Sequence, residues 1–316
     1  MKVMHYIAYG DPSQLRRGDA PVPRPALSEL LVRAMASSVN PIDWKLYNGS
    51  LRYLVPMKFP GVPGFDIAGE VVEVGQQVTQ FKPGDRIYAS LNNKSGGAAA
   101  EYVVVGAAAA ALMPNSLTYQ EAALLPLAGL TALQALRDKG QLRSGQRCLV
   151  VGASGGVGHL AIQIAKELGA HVTGVCSTTN VEFVKQLGAD FVIDYHQQSD
   201  FQSDGRFDVL LDAVERLPFA PFQAVMNPSA VYITLVPSLL SIARAVGFRV
   251  FLRQRVVPLL MRPRADDLRY LATLVDGGRL RAVIDSTYSL EELAEAHRES
   301  QRGRVRGKLS IVIQPT

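Results

Sequence analysis

The chain has 316 residues, of which 48% are hydrophobic and 19% are charged, and its formal net charge is +5. This composition is ordinary for a globular protein and excludes the disordered, collagen-like and disulfide-scaffold classes. The two cysteines, Cys148 and Cys176, are too few for a zinc-binding cysteine cluster or a disulfide framework, so we expect a reducing, cytoplasmic environment. We find neither a signal peptide nor an apolar run of about 18 residues that would span a membrane.

The first 118 residues have the pattern of a β-rich domain. Short apolar runs alternate with turn signals such as Lys82-Pro83-Gly84-Asp85, which is typical of a partly open barrel or a sandwich. Strands are predicted at residues 30–34, 67–74, 86–89 and 101–105.

From Thr118 the pattern changes to alternating helices and strands. Thr118 and Glu121 have the spacing of a capping box, which predicts a helix over residues 122–136. The order that follows is typical of a parallel, doubly wound sheet. Strands are predicted at residues 148–151, 171–176, 191–193, 207–211 and 231–235, and helices at 157–168, 181–187 and 266–276.

The end of the chain returns to β character. A strand is predicted at residues 283–288, a helix at 290–300 and a last strand at 307–313. We expect this segment to rejoin the first domain, so the predicted domains are 1–118 with 279–316, and 119–278.

A glycine-rich turn lies between the strand at 148–151 and the helix at 157–168. It reads Gly152-Ala153-Ser154-Gly155-Gly156-Val157-Gly158. Glycines let the backbone approach a pyrophosphate, which the N–H groups and the dipole of the helix N-terminus stabilise. The turn therefore predicts a dinucleotide site at Ser154, Gly155, Gly156 and Val157, with a purely structural tight turn as the alternative.

The residues after the next strand, Ser177-Thr178-Thr179-Asn180, include no Asp or Glu. Sites selective for NAD place an acidic residue here, where it binds the ribose 2′-hydroxyl. A carboxylate would repel a 2′-phosphate, whereas hydroxyl and amide groups can donate hydrogen bonds to it. Ser177 and Asn180 therefore favour NADPH as the cofactor, and capping of the next helix is a second role that both can have.

These motifs resemble the medium-chain dehydrogenase/reductase superfamily and, within it, the zinc-independent quinone oxidoreductase branch. The chloroplast-envelope quinone oxidoreductase homologues and the alkenal reductases are similar in this way. The resemblance implies an α/β fold with a GroES-like β-rich catalytic domain, a doubly wound Rossmann domain and a homodimer. The segments that carry it are Val39-Asn40-Pro41-Ile42-Asp43-Trp44-Lys45, Pro63-Gly64-Phe65-Asp66-Ile67-Ala68-Gly69, Pro83-Gly84-Asp85-Arg86, Gly129-Leu130-Thr131-Ala132, the glycine-rich turn, Leu187-Gly188-Ala189-Asp190, Val283-Ile284-Asp285-Ser286 and Gly307-Lys308.

The resemblance also implies where zinc binds in other members of the superfamily. Those members have a cysteine in place of Asn40 and a His-Glu pair in place of Phe65 and Asp66. Phenylalanine cannot bind a metal, and neither cysteine of this chain lies in the first domain. Because a tetrahedral zinc site needs thiolate or imidazole ligands, we expect no metal.

Without zinc, a nicotinamide hydride suits a carbon that is already electrophilic, such as that of a quinone or an enone. The resemblance places Asn40 beside the nicotinamide. Lys45 is a candidate stabiliser of the substrate oxygen, and Tyr53 and Tyr47 are candidate phenol donors, with surface or packing roles as alternatives. The remaining cofactor-binding candidates are Thr131, Tyr195, Leu235 and Lys308.

The sequence thus predicts a zinc-free, NADPH-dependent reductase of quinones or α,β-unsaturated carbonyl compounds. An NADPH-binding regulatory or interaction protein with little turnover is the alternative, because the fold alone does not determine function.

Residues 216–265 contain no Asp or Glu, and arginines alternate with apolar residues over 244–264. This pattern fits an ordinary helix with arginines extended along the fold, a dimer contact, a lid, or weak peripheral contact with an anionic membrane. No recognition motif for nucleic acid accompanies the charge.

Overall fold

Strands occupy both ends of the chain, and strands alternate with helices between them. The computed structural model describes residues 1–198, 201, 205–214, 219–235 and 254–314. The strands are β1 Lys2–Tyr6, β2 Leu15–Asp19, β3 Glu29–Ser38, β4 Asp66–Val74, β5 Arg86–Ser90, β6 Tyr102–Gly106, β7 Ala110–Leu112, β8 Arg147–Val151, β9 His171–Cys176, β10 Phe191–Asp194, β11 Phe207–Asp212, β12 Met226–Thr234, β13 Arg255–Pro258, β14 Ile284–Ser289 and β15 Lys308–Val312. The α-helices are α1 Pro41–Tyr47, α2 Tyr119–Ala122, α3 Pro126–Leu133, α4 Gly158–Glu167, α5 Val181–Gln186, α6 Phe219–Ala224, α7 Ala265–Asp276 and α8 Leu293–Arg302.

The chain divides into two units. The first is formed by Met1–Leu130 with Arg262–Thr316, and the second by Thr131–Met261. Helix α7 belongs to the first unit, where Tyr88 of β5 donates a hydrogen bond to the carbonyl of Leu268. The boundaries therefore lie at 130/131 and 261/262, whereas the sequence-based ones were placed at 118/119 and 278/279.

The sheet of the first unit is organised around β3. It has seven strands in the order β14-β15-β3-β4-β5-β7, and β6 also pairs with β3. The apolar residues of β3 and its neighbours, such as Leu30, Val32 and Ile67, form the core of this unit. Burial on nearly every residue of β3 explains its long apolar run in the sequence.

A row of buried polar residues crosses this sheet. Ser310 pairs with Ser38, Ser38 with Asp66, and Asp66 with Ser90, on the neighbouring strands β15, β3, β4 and β5. Residues in register on adjacent strands point to the same face of a sheet. This register brings the start of β15, the end of β3 and the start of β4 together.

The second unit contains a six-stranded sheet in the order β10-β9-β8-β11-β12-β13, and every neighbouring pair in it is parallel. Its core includes Leu149, Val175, Leu210 and Phe222. Strand order and connections are those of the predicted doubly wound fold. The expected α/β class is therefore confirmed.

The prediction of one continuous helix over residues 122–136 is wrong. The capping box is present, since Thr118 N donates to Glu121 Oε2 at 2.9 Å, but the helix that it starts, α2, ends at Ala122. Pro126 has no N–H to donate and disfavours a helical conformation of the residue before it, so a second helix, α3, begins there. Residues Gln134–Lys139 then form a π-helix.

Two further segments differ from expectation. Residues 41–47 form α1, which the sequence analysis did not predict. Residues 244–253 of the arginine-rich stretch at 244–264 lie outside the described residues, so its predicted roles stay predictions. In the described remainder, Arg255–Pro258 is a strand and not part of a helix. In the described part of the chain, no helix has the length and apolar character needed to cross a membrane.

The glycine-rich turn packs against the start of α4. A Cβ atom on Gly158 would lie 2.1 Å from the carbonyl oxygen of Gly152, whereas one on Gly155 would lie 3.4 Å from the same oxygen. The first distance is an impossible overlap with backbone, and the second is an ordinary contact. Of these two glycines, only Gly158 is therefore required by the packing of the turn itself.

We expect Gly158→Ala to destabilise the protein by about 1–3 kcal/mol, the usual cost of overpacking. Helix propensity alone would give the opposite sign, a gain of up to about 1 kcal/mol, so the sign of the change is informative. Urea unfolding measures it, with Gly155→Ala as the matched control that changes stability little. Equal or higher stability of Gly158→Ala would contradict this packing.

Candidate functional site

The turn between β8 and α4 has the geometry of an anion cradle. Gly152 has a φ of +74°, which glycine adopts readily. Residues 154–157 are half-buried, so the predicted contacts Ser154, Gly155, Gly156 and Val157 lie where a ligand can reach their backbone. Among the described residues, no side chain caps the N-terminus of α4.

Backbone N–H groups at an uncapped helix N-terminus need acceptors, and a pyrophosphate supplies them. The residues therefore fit a dinucleotide. The turn is braced from inside by buried His159, whose Nδ1 donates to the Gly155 carbonyl at 2.9 Å. This contact gives His159 a structural role.

The residues after β9 form a small polar group. Asn180 Nδ2 donates to Ser177 Oγ at 3.1 Å, and neither side chain caps a helix within the described structure. The nearby carboxylate of Asp194 on β10 is engaged by Thr178, and this hydrogen bond holds the pKa of Asp194 below its usual range. Ser177 and Asn180 thus have polar atoms at the position predicted to select the cofactor.

The other predicted cofactor contacts in the second unit lie on three different elements. Tyr195 follows β10 and is 43% exposed, while its N–H donates to the Cys176 carbonyl at 3.1 Å. Thr131 is buried on α3, and Leu235 follows β12 and is half-buried. Tyr195 lies closest along the sheet to the polar group after β9.

The first unit contains a buried polar cluster, which we call the Lys308 cluster: Asn40, Asp43, Asp66 and Lys308. Lys308 Nζ donates to Asn40 Oδ1 at 2.5 Å and lies 3.4 Å from Asp66 Oδ2. Asn40 Nδ2 donates to the same Asp66 oxygen at 2.8 Å. The residues are 0–3% exposed, so the cluster is shielded from water.

Asp66 is well provided with donors. Its Oδ2 also accepts from Ser38 Oγ at 2.8 Å, and its Oδ1 accepts from the backbone N–H of Leu127 at 2.7 Å. Hydrogen-bond donors and a nearby ammonium group are the contacts that stabilise a buried carboxylate. Burial lowers the pKa of Lys308, and the carboxylates of Asp66 and Asp43 oppose that shift.

Asp43 is the less satisfied carboxylate. Its Oδ2 accepts from the backbone N–H of Asn40 at 2.7 Å, and its Oδ1 has no hydrogen-bond partner within the described residues. Burial raises the pKa of Asp43 to about 8, and the nearby Asp66 carboxylate adds to the rise. The sequence analysis missed this residue, although Asn40-Pro41-Ile42-Asp43 has the spacing that marks a helix start.

The cluster does not fit zinc. No group of three or more His, Cys, Asp or Glu that would hold a metal ion is found in the described part of the chain. Phe65 offers no ligand atom, and the ammonium group of Lys308 repels a cation from Asn40 and Asp66.

The structure separates the predicted catalytic residues by burial. Tyr53 is 85% exposed and accepts a hydrogen bond from Arg52 at 2.8 Å. Lys45 is half-buried on α1, with its Nζ 5.7 Å from the centre of the Trp44 ring. Tyr47, by contrast, is buried and stacks on Tyr6, with ring centroids 4.5 Å apart, so it has a packing role.

The raised pKa of Asp43 makes stability depend on pH. Below pH 4 both the folded and the unfolded state hold its proton, so its contribution is fully present. As pH rises toward 8 only the folded state keeps the proton, and the contribution is lost, with a limiting slope of about 1.4 kcal/mol per pH unit. We expect Asp43→Asn to become progressively more stable than the wild type between pH 5 and pH 8.

Urea unfolding of both proteins over this range tests the prediction. Asp19→Asn, at an exposed position, is the control and is expected to follow the wild type at every pH. Parallel pH profiles of the wild type and Asp43→Asn would show that Asp43 is ionised in the folded protein.

Two family profiles match the chain. The one described as "Alcohol dehydrogenase GroES-like domain" matches residues 26–115, and the one described as "Zinc-binding dehydrogenase" matches residues 187–311. The first lies in the β-rich unit and the second spans most of the parallel sheet and the return to the first unit.

Similar proteins align over the whole chain. A chloroplast envelope quinone oxidoreductase homolog of Arabidopsis thaliana is 38% identical over 99% of both chains, and a 2-methylene-furan-3-one reductase of Solanum lycopersicum is 32% identical over all of this chain and 79% of that protein. The solved structure of a quinone oxidoreductase from Coxiella burnetii superposes with a TM-score of 0.89 at 31% identity, over 99% of both chains. With its GroES-like and Rossmann-type folds, the chain belongs to the medium-chain dehydrogenase/reductase superfamily of oxidoreductases.

Proposed function

We propose that the protein is an NADPH-dependent reductase that transfers a hydride to a quinone or to an α,β-unsaturated carbonyl compound. The observation that carries the proposal is the uncapped N-terminus of α4 behind a turn in which Gly158 tolerates no side chain. The substrate class is supported by the names of the similar proteins, because a 2-methylene-furan-3-one is itself an enone.

The residues of the second unit hold the cofactor. Ser154, Gly155, Gly156 and Val157 bind its pyrophosphate through the backbone, and Thr131, Tyr195 and Leu235 make further contacts. When bound, the nicotinamide supplies the hydride. The protein's contribution is to orient the cofactor and to exclude water.

The first unit is proposed to act without a metal. Charge that develops on the substrate oxygen is met by hydrogen-bond donors, for which Asn40 and Lys45 are the candidates. Tyr53, on an exposed loop, is a third candidate, as a proton donor. The support for a zinc-free reaction is the donor set itself, since Lys308 supplies a fixed positive charge among Asn40 and Asp66.

A preference for NADPH over NADH is the finer part of the proposal. Ser177 and Asn180 have donors at the end of β9, and the carboxylate of Asp194, on the neighbouring strand β10, is already engaged by Thr178. Three further points also stay proposals. The resemblance supports a homodimer, the two free cysteines support a reducing, cytoplasmic location, and the net charge of +5 supports contact of residues 244–264 with anionic membranes.

We expect the purified protein to oxidise NADPH in the presence of quinones and enals, and a chelator to leave the rate unchanged. Gly155→Val should lower NADPH affinity by about tenfold or more, because its side chain extends into the space where the pyrophosphate meets the backbone. Fluorescence titration measures affinity, and thermal unfolding shows that the variant is folded.

Three outcomes would contradict the proposal. Tight NADPH binding without turnover of any acceptor would favour the regulatory or interaction protein. A stoichiometric zinc whose removal abolishes activity would overturn the metal-free reaction. Unchanged NADPH affinity in folded Gly155→Val would show that the cofactor does not bind at this turn.

Ser177→Asp should reverse or erase the preference for NADPH. The new carboxylate would repel a 2′-phosphate and would accept a hydrogen bond from a 2′-hydroxyl. The ratio of kcat/KM for the two cofactors measures this, with exposed Thr179→Asn, which adds no charge, as the control. Equal efficiency of the wild type with both cofactors would contradict the preference.

A further inference from the structure

The buried ammonium group of Lys308 is the least expected feature of the first unit. Lys308 begins β15 and is 3% exposed, although an ammonium group is costly to remove from water. A well-packed apolar pair is often as stable as a buried ion pair. Stabilisation of the strand pairing alone therefore does not explain a buried lysine at this position. The contacts of Lys308 indicate another role.

The charges around Asn40 determine how its amide is turned. Asn40 Oδ1 accepts from Lys308 at 2.5 Å, and Nδ2 donates to Asp66 at 2.8 Å. A flipped amide would place its NH2 group against the ammonium group and its oxygen against the carboxylate, and both contacts would be repulsive. The amide therefore has one orientation.

We propose that Lys308 is a positioning residue that acts on the reaction through Asn40 rather than by binding the cofactor. It holds the amide so that the second N–H of Nδ2 remains to meet the charge that develops on the substrate oxygen. This inference rests on the proposed function, because that oxygen belongs to the hydride acceptor.

The ammonium group also strengthens the donor. A hydrogen bond from a cation to an amide oxygen polarises the amide, so its N–H groups become better donors. The buried surroundings increase the effect, because few water molecules screen the charge. Lys308 thus orients and polarises the Asn40 amide without contacting the substrate, whereas a metal ion would bind the substrate oxygen directly.

The test must separate this role from simple charge balance. Lys308→Met alone leaves Asp66 as a buried carboxylate without a counter-charge, which is destabilising. The double variant Lys308→Met with Asp66→Asn removes both charges, although the single oxygen of the new amide accepts from Asn40 Nδ2 or from Leu127 N but not from both. We expect the double variant to be more stable to heat than Lys308→Met alone, while its kcat stays about tenfold or more below the wild-type value, as misplacement of a reacting group produces.

The KM for NADPH is expected to change by no more than about twofold in the double variant, since a residue that acts only on the reacting step leaves binding unaltered. The matched control is Lys166→Met with Asp190→Asn, which removes another lysine–aspartate pair, with 2.8 Å between Nζ and Oδ1. This pair lies away from every predicted contact, so kcat and KM should stay at wild-type values.

A second readout does not need turnover. The side-chain amide resonances of Asn40, assigned by their loss in Asn40→Asp, should shift in the 15N–1H spectrum of the Lys308→Met, Asp66→Asn variant. Unshifted resonances would overturn the proposal, as would a wild-type kcat in that variant. A raised KM for NADPH with unchanged kcat would make Lys308 a cofactor ligand and would also overturn it.

The failure of the proposed function looks different. If the wild type fails to oxidise NADPH with any quinone or enal, the reductase function is wrong. The amide spectrum would still report whether Lys308 orients Asn40.

Discussion

The ammonium group of Lys308, buried in the sheet away from water, is the constraint on which the first unit depends. Lys308 lies beside two carboxylates, Asp66 and Asp43, and none of the three is exposed to water. Hydrogen-bond donors from separate elements surround Asp66 in this position. Asp43 has a single donor, and burial raises its pKa to about 8, so it keeps its proton at neutral pH. The cluster then has one ammonium and one carboxylate, a balance that an apolar interior tolerates.

In the proposed function, the second unit binds an anion by a different route. Its glycine-rich turn uses backbone N–H groups and the dipole of α4 and needs no cationic side chain. Such a site depends on how closely the backbone approaches the ligand. Gly158 has no room for a side chain because the Gly152 carbonyl lies against it, so the turn packs tightly onto the start of α4. In the same proposal, specificity between NADPH and NADH depends on side chains farther along the sheet, at Ser177 and Asn180. The two units would then have different tasks: fixed dipoles would hold a phosphate in one, and fixed charges would orient a donor in the other.

The parts of the structure that were predictable from sequence are those with local causes. Strand β9 has the predicted bounds, His171–Cys176, and every residue after His171 is buried. Its β-branched residues and lack of charged side chains after His171 favour a strand that is buried on both faces. The predicted helix over 122–136 was wrong because Pro126 interrupts it, a local signal that the apolar pattern outweighed. Helix α1 was missed because its seven residues are too few to show a helical period. The contact between Lys308 and Asn40 joins residues 268 positions apart, and no local pattern specifies it.

The separation of Lys308 from Asn40 in sequence follows from the path of the chain. The chain leaves the first unit within α3, builds the parallel sheet of the second unit, and returns with α7, β14, α8 and β15. Only then does β15 pair with β3, through Ser310 and Ser38, and place the ammonium group against Asn40 and Asp66. Until this pairing forms, Asp66 lacks its counter-charge, and burying it is unfavourable. Because loop-closure entropy rises only slowly with length, the long return costs little more than a short one would. Docking of the last strand therefore both completes the sheet and neutralises the charge at its centre.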